Sequence, residues 1–194
     1  MNQIAIEAEL AKKAKYIPAE VLQRHHEAVL RGVMAEICFV ETAHACGWKT
    51  KGSTPYQDAV EHWDYTLTGY NQRYRVEVKA RKKIARHDAE CQDDLIWVEL
   101  VGIGAKNTGW LHGKSDLLAF ERTHDFVLVK RLDLIELVQK LVKRTFVSYP
   151  NQAIYKLYRF RDKEELTLIP INRILDIIAL QFKKTPAESE VPTA

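Results

Sequence analysis

The sequence lacks any apolar run long enough to span a bilayer. A transmembrane helix needs about 20 consecutive apolar residues, so we expect no membrane among the partners of this chain. The first residues, MNQIAIEAELAKKAKYIP, are interrupted by acids and lysines and lack the apolar core of a secretory signal. The expected location is therefore the cytoplasm.

Cysteine is also scarce. The three cysteines, Cys38, Cys46 and Cys91, are odd in number and show no C-x-x-C spacing. We therefore expect neither a disulfide framework nor a cysteine-rich zinc site. Internal repeats and low-complexity linkers are absent too, which predicts one domain over residues 1–182. The last residues, KKTPAESEVPTA (183–194), have the composition of a disordered tail.

Basic residues are concentrated in one segment, although the formal net charge is only +3. Between Arg73 and Arg86 the chain carries seven lysines and arginines against one acid, Glu77. Such a density suits an anionic polymer such as nucleic acid, while a charge run taken alone is also typical of a solvated face. The predicted nucleic-acid-binding residues are Arg73, Arg75, Arg81, Lys82 and Lys83.

The first part of the chain predicts one helix followed by a β-hairpin. Apolar residues recur at three- and four-residue steps after Pro18, which predicts a helix to about Ala45. The segment KTKGSTP (49–55) is expected to be a loop. Alternating apolar residues predict a strand over 59–67 and a second strand over 73–80, with the turn signal TGYNQ between them.

The remainder predicts further strands and two helices. We expect an irregular or helical polar segment over 81–93, and helices over 132–142 and 172–182, the last capped by Asn172. The other predicted strands cover 95–101, 110–120, 125–129, 155–160 and 166–169. This pattern of strands and helices predicts an α/β or α+β sheet with flanking helices.

The predicted hairpin brings two carboxylates together. If its turn is the four residues Gly69–Gln72, then Thr68 pairs with Arg73, and Asp64 lies opposite Glu77. Facing side chains on neighbouring strands have Cβ atoms roughly 5 Å apart, so the two acids repel unless a cation lies between them. A slip of one residue would put Val76 there instead. Oxygen ligands without a nearby thiol suit Mg²⁺ or Mn²⁺.

Lys79 lies two residues beyond Glu77 and is predicted on the same face of its strand. Its ammonium could orient or activate an attacking water, or stabilise negative charge developing on a phosphate. The spacing of Asp64, twelve residues, and then Glu77-Val78-Lys79 resembles the D…(D/E)-x-K motif of the PD-(D/E)XK, or restriction-endonuclease-like, nuclease superfamily. The proline that names the motif is replaced here by Trp63.

The resemblance, which covers roughly residues 21–120, implies an α/β fold with a restriction-endonuclease-like core, in which helices flank a mixed central β-sheet. It also implies that Asp64, Glu77 and the main-chain carbonyl of Val78 bind the metal and that Lys79 is the catalytic lysine. Members of this superfamily often add a glutamate from the first helix. Glu36 fits that role because it lies on the inward stripe of the predicted helix.

These features together predict a Mg²⁺-dependent DNA endonuclease that hydrolyses phosphodiester bonds. One alternative is a structure-selective nuclease of the Holliday-junction resolvase kind, which would require a homodimer, with the aliphatic stretch 132–142 as one candidate interface. Another is a nuclease-like fold that binds nucleic acid without cutting it.

Several further residues are candidates for the same region. Glu99 either joins the site or faces solvent from its strand. Lys114 and Asp116 are expected to form a mutual salt bridge, while Tyr56 and Tyr70 are candidates for stacking on bases.

Overall fold

The computed structural model describes residues 26–85, 87–101, 109–160 and 164–185. In this part of the chain the elements follow one another as α1 (His26–Ala45), β1 (Lys49–Gly52), a π-helical turn (Gln57–Glu61), β2 (Tyr65–Gly69), β3 (Gln72–Lys79), β4 (Leu95–Val101), a 3-10 turn (Trp110–His112), β5 (Leu117–Glu121), β6 (Asp125–Lys130), α2 (Arg131–Leu141), β7 (Phe146–Val147), a second 3-10 turn (Pro150–Gln152), β8 (Leu157–Phe160), β9 (Glu164–Pro170), α3 (Ile171–Leu175) and β10 (Ile178–Lys183).

The strands form two sheets. The larger has six strands in the order β1-β2-β3-β5-β6-β10, and the smaller has four in the order β4-β9-β8-β7. In the larger sheet β3 and β5 run parallel, whereas the other neighbours run antiparallel. The predicted α/β class with a mixed sheet is therefore confirmed.

Helix α1 covers one face of the larger sheet. Phe39 is fully buried there and packs its ring against Tyr65, Phe126 and Phe182, with the closest centroid 5.4 Å away. The helix ends at Ala45, and Gly47 adopts a φ of 80°, a left-handed conformation that glycine reaches without strain. The predicted end of the first helix is confirmed, while its predicted start lies outside the described residues.

The opposite face of the larger sheet is buried by α2 and the smaller sheet. Leu118 and Val127 contribute from the larger sheet, Val98 and Ile169 from the smaller one, and Leu134 from α2. Because both faces of the larger sheet are covered, the segment from Asp125 to Val129 is buried without alternation. The aliphatic stretch 132–142 thus serves the core through Leu134 and Val138.

The hairpin of β2 and β3 has the predicted register. Thr68 pairs with Arg73 and Gly69 pairs with Gln72, so the turn consists of Tyr70 and Asn71. Both turn residues have positive φ, at 51° and 60°, which is the geometry of the two-residue hairpin turns that match strand twist.

Two predictions around this hairpin are wrong. The predicted loop 49–55 contains strand β1, which pairs with β2. The predicted strand 59–67 begins only at Tyr65, because Gln57–Glu61 forms the π-helical turn and His62 has a φ of 56°. The Glu61 carbonyl accepts from the backbone N–H of Lys114 at 2.6 Å, so a distant segment rather than a strand ladder satisfies it. The N–H of Ser53 donates to the Asp64 carbonyl at 2.7 Å, one residue beyond the paired ends of β1 and β2.

The segment 81–93 is irregular where it is described, which is one of the two conformations expected for it. Two later predictions are wrong. The predicted strand 110–120 starts with a 3-10 turn and becomes a strand only at Leu117. The predicted helix 172–182 ends at Leu175, and Pro170 rather than Asn172 precedes it. Strand β10 follows and continues through Lys183, because pairing with β6 places Phe182 against Phe39 and Trp48. Residues 186–194 lie outside the described residues.

Candidate active site

Three acids from different elements are buried near the end of the hairpin. Glu36 on α1, Asp64 just before β2 and Glu77 on β3 are 6%, 6% and 5% exposed. The paired register of the hairpin ends with Tyr65 and Val76, and the N–H of Asp64, one residue earlier, also donates to the Val76 carbonyl at 2.8 Å. Asp64 therefore lies at the end of the hairpin beside residues 76–78, while its position directly opposite Glu77 stays a prediction.

The backbone of β3 holds the Asp64 side chain in place. The N–H of Val78 donates to Asp64 Oδ2 at 2.7 Å. A carboxylate that accepts a short backbone hydrogen bond is fixed in position and favoured in its charged form. The side chain of Val78 packs into the core beneath α1, while its carbonyl as a metal ligand stays a prediction.

Lys79 reaches the same place from the same strand. Its Nζ donates to Glu77 Oε1 and lies 5.0 Å from the centroid of the Trp110 ring. Trp110 itself is buried and packs edge-to-face against Phe120, so it belongs to the core. A cation over an indole face is stabilised by the ring quadrupole. Lys79 is thus held between a carboxylate and an aromatic ring.

Burial and neighbouring charges act on both partners of this pair. Burial raises the pKa of Glu77; Lys79 opposes that shift, while the charges of Asp58 and Glu36 add to it. Burial alone would lower the pKa of Lys79, but Glu77 and Asp64 outweigh it, and the pKa of Lys79 is raised. Lys79 therefore carries its positive charge at neutral pH.

One oxygen of the Glu77 carboxylate has no hydrogen-bond partner among the described residues. Oε1 accepts from Lys79, whereas Oε2 is buried and accepts no hydrogen bond from that part of the chain. A buried, unpaired carboxylate oxygen is costly, because it loses its hydration without compensation. Such an atom indicates a place where a cation or a donor from a ligand would bind.

Asp125 shows how this fold satisfies a buried carboxylate elsewhere. It is 2% exposed, and both of its oxygens accept from Arg122, at 2.7 and 2.6 Å. Gln181 and Lys183 donate to it as well. Burial raises the pKa of Asp125, but Arg122 and Gln181 outweigh that effect and hold the pKa below its usual value. Asp125 is therefore saturated by protein donors, whereas Glu77 is not.

Because protein donors occupy both oxygens of Asp125, we expect Asp125→Asn to be less stable than the wild type at neutral pH, with a smaller difference in acid. Because its pKa is lowered in the folded state, the stabilisation is complete above the unfolded pKa of about 4 and disappears as the pH falls through the folded value. At pH 7 we expect the variant to lose about 1.5–3 kcal/mol, the contribution of hydrogen bonds to a charged group. Urea unfolding at pH 7 and at pH 3 measures this, and an equal loss at both would contradict the prediction.

Asp58 is a further acid at this site that the sequence prediction missed. It lies in the π-helical turn, and its charge contributes to the raised pKa of Glu77. The sequence analysis predicted a strand over 59–67 and therefore did not expect the turn at residues 57–61, which brings Asp58 back toward the end of β3. Glu99 on β4 is only partly exposed, and its charge acts on Lys79.

The donor set is small and consists of oxygens. Within the described residues, no three carboxylate, imidazole or thiolate groups are grouped so that they could hold a metal ion. Mg²⁺ is usually bound by one or two carboxylates together with waters and substrate phosphates rather than by a complete protein cage. Asp64 and Glu77, with the unpartnered Oε2 of Glu77, fit that kind of binding.

The predicted nucleic-acid-binding residues divide into two groups. Arg75 makes two hydrogen bonds to Asp116 through its guanidinium, at 3.1 and 2.8 Å, and Arg81 pairs with Asp93 at 2.7 Å. Their charges are therefore partly neutralised by the fold. Arg73 and Lys82 are exposed, and Lys83 is partly exposed.

The predicted salt bridge between Lys114 and Asp116 is wrong. Lys114 pairs with Glu61 at 2.8 Å, whereas Asp116 accepts from Arg75, including its backbone N–H. The parallel pairing of β3 and β5 causes this, because it brings the start of β5 beside Arg75.

Tyr56 and Tyr70 are both exposed, as expected of stacking candidates. Tyr70 also has a structural role, because its hydroxyl donates to the Cys46 carbonyl at 2.9 Å and its ring packs against Trp48.

Comparison with known proteins finds no matching family model, no matching curated protein and no matching solved structure. In the part of the chain that the structure describes, no helix combines the length and the apolar character needed to cross a membrane.

Proposed function

We propose that this chain is a Mg²⁺- or Mn²⁺-dependent phosphodiester hydrolase that cuts DNA. The observation that carries the proposal is a buried group in which the Val78 N–H holds Asp64 and Lys79 donates to Glu77. Among the described residues, Glu77 Oε2 has no donor. The helix α1 followed by the β2–β3 hairpin supports the further proposal that the fold has a restriction-endonuclease-like core. DNA as the substrate rests on the resemblance of the D…E-V-K spacing.

In this proposal each residue has a distinct task. Asp64 and Glu77 would hold the metal, with the Val78 carbonyl as a further ligand and Glu36 contributing negative charge nearby. When bound, a divalent ion supplies charge neutralisation and lowers the pKa of a coordinated water. Lys79 is charged, so we assign it the stabilisation of negative charge that develops on the phosphate rather than proton abstraction.

Cleavage of plasmid DNA tests the proposal. The wild type should nick or cut supercoiled plasmid in the presence of Mg²⁺ or Mn²⁺ but not in EDTA, and Asp64→Asn should be inactive. Asp176→Asn is the matched control, because Asp176 is an exposed carboxylate outside the candidate site and pairs with Arg173 at 3.4 Å. Equal cleavage by the wild type and Asp64→Asn would overturn the assignment.

Metal binding gives a second readout that does not depend on activity. Tb³⁺ takes oxygen ligands, and its luminescence is excited through a nearby indole; Trp110 lies against Lys79. We expect a Tb³⁺ signal in the wild type that excess Mn²⁺ removes, and its loss in Glu77→Gln. Metal binding without cleavage would favour a nuclease-like fold that only binds nucleic acid.

A further inference from the structure

A second positively charged surface lies beside the short strand β7 and is separate in sequence from the predicted basic segment of residues 73–86. Between Leu137 and Arg161 the chain carries six lysines and arginines and no acid. Six exposed residues of this region, each basic or aromatic, form what we name the basic–aromatic surface: Lys143, Arg144, Phe146, Tyr149, Lys156 and Arg159.

The two aromatic residues are unusually exposed. Phe146 is 46% exposed and Tyr149 is 65% exposed. The other phenylalanines whose side chains are described, at positions 39, 120, 126 and 182, are buried. Exposing a phenylalanine forgoes the stabilisation that burial would bring, roughly 1.5–3 kcal/mol for a side chain of this size. An exposed aromatic residue among cations is typical of a binding surface.

Arg159 organises this surface. Its guanidinium lies 4.2 Å from the centroid of the Phe146 ring, and it donates to Glu165 at 3.1 Å. Glu165 therefore fixes the guanidinium, which in turn supports the ring of Phe146 while nearly half of that residue stays exposed. A ring held in this way loses little conformational entropy when a flat group stacks on it.

The backbone holds the surrounding segment as well. The N–H of Lys143 donates to the Tyr155 carbonyl at 2.8 Å, and the N–H of Leu157 donates to the Thr145 carbonyl at 2.9 Å. Ala153 is buried, and its carbonyl accepts from the hydroxyl of Thr167 at 3.2 Å. These bonds join residues 143–157 to themselves and to β9, so the cations and rings are presented on a preformed surface.

We propose that the basic–aromatic surface binds single-stranded nucleic acid, with its lysines and arginines on the phosphates and Phe146 and Tyr149 stacked on bases. The identity of this strand as the substrate rests on the proposed nuclease function, whereas the binding itself does not. A single strand exposes base faces as well as phosphates, whereas a duplex or an acidic protein offers the charge without the free π-faces.

Fluorescence anisotropy in EDTA tests this binding without any cleavage. Labelled dT20, rU20 and a 20-base-pair duplex are titrated with the intact chain at several salt concentrations. We expect both single strands to bind more tightly than the duplex. The difference in affinity between dT20 and rU20 shows whether the surface prefers deoxyribose or ribose. Tyr149→Ala, and Tyr149→Ala combined with Phe146→Ala, should weaken single-strand binding by about ten-fold or more, as expected for the loss of base stacking.

The charges are tested separately by salt dependence. The double variant Lys143→Ala with Arg144→Ala should reduce the steepness of log K against log salt by about 1.4, because each lost phosphate contact on a single strand contributes about 0.7. The matched controls are Lys49→Ala with Lys51→Ala, two exposed lysines on β1, and Leu132→Ala, an exposed apolar residue on α2. Both controls should bind like the wild type.

The proposal is overturned if the wild type binds no single strand in EDTA, if it prefers the duplex, or if Tyr149→Ala binds as tightly as the wild type. Because Tyr149 is largely exposed, its replacement leaves the core intact, and a thermal melt verifies this. Strand binding that persists while plasmid cleavage fails would reject the nuclease and keep this surface. If Asp64→Asn loses cleavage while Tyr149→Ala binds single strands normally, the nuclease proposal stands and the proposed binding surface is rejected.

Discussion

Replacing Lys79 by methionine is expected to lower the rate of DNA cleavage by about 10²–10³-fold, the effect of removing one group that stabilises charge in a transition state. Methionine keeps most of the length of the side chain and removes the ammonium. In the wild type that ammonium is bound to Glu77 Oε1 and lies over Trp110, so it is charged and already positioned. Cleavage under saturating Mg²⁺ measures the loss.

The same variant should bind metal at least as tightly as the wild type. The positive charge of Lys79 lies beside the Glu77 carboxylate and would repel a divalent ion bound by that carboxylate. Removing the charge therefore removes a competitor, whereas Glu77→Gln removes a ligand. Tb³⁺ titration separates the two variants. Lys130→Met, at the exposed end of β6, is the control for losing a lysine. A Lys79→Met variant that cleaves DNA normally would refute the assigned role.

Phe39→Ala is expected to lower the free energy of unfolding by about 3–5 kcal/mol, the usual cost of removing a fully buried phenylalanine. Phe39 has no exposed surface and contacts the rings of Tyr65, Phe126 and Phe182. These residues lie on three strands of the larger sheet, so the cavity would open between that sheet and α1. Guanidinium unfolding followed by circular dichroism measures the change.

Leu132→Ala is the matched control for this change, because Leu132 is a large apolar residue that α2 leaves exposed. We expect it to change stability by less than about 0.5 kcal/mol, as surface substitutions usually do. Phe39 also lies one helical turn after Glu36, so a shift of α1 would displace that acid. A loss in Phe39→Ala no larger than in Leu132→Ala would show that the packing of α1 is not the main source of stability.

The position of the candidate site could be predicted from the sequence because its information is local. Strand alternation and a short turn determine which residues of a hairpin face each other, and these two features are both present between Asp64 and Lys79. The pairing of Thr68 with Arg73 confirms that reasoning.

The features that could not be predicted depend on distant partners. The apolar residues of β10 recur at a spacing that predicts a helix, but pairing with β6 and the contact of Phe182 with Phe39 make this segment a strand. Asp58 was missed because the π-helical turn forms where the Glu61 carbonyl accepts from Lys114, more than 50 residues away. Local propensity carries no information about such contacts.

The turn formed by Tyr70 and Asn71 has a consequence for how this protein can change. It lies about six residues along β3 from Glu77, roughly 20 Å at the rise of an extended strand. Many side chains could occupy it, but inserting or deleting one residue there would rotate every acid and base of β3 to the opposite side, with each functional residue still present. The length of this turn, rather than the identity of its residues, therefore limits which variants of this protein can keep Asp64 and Glu77 close together.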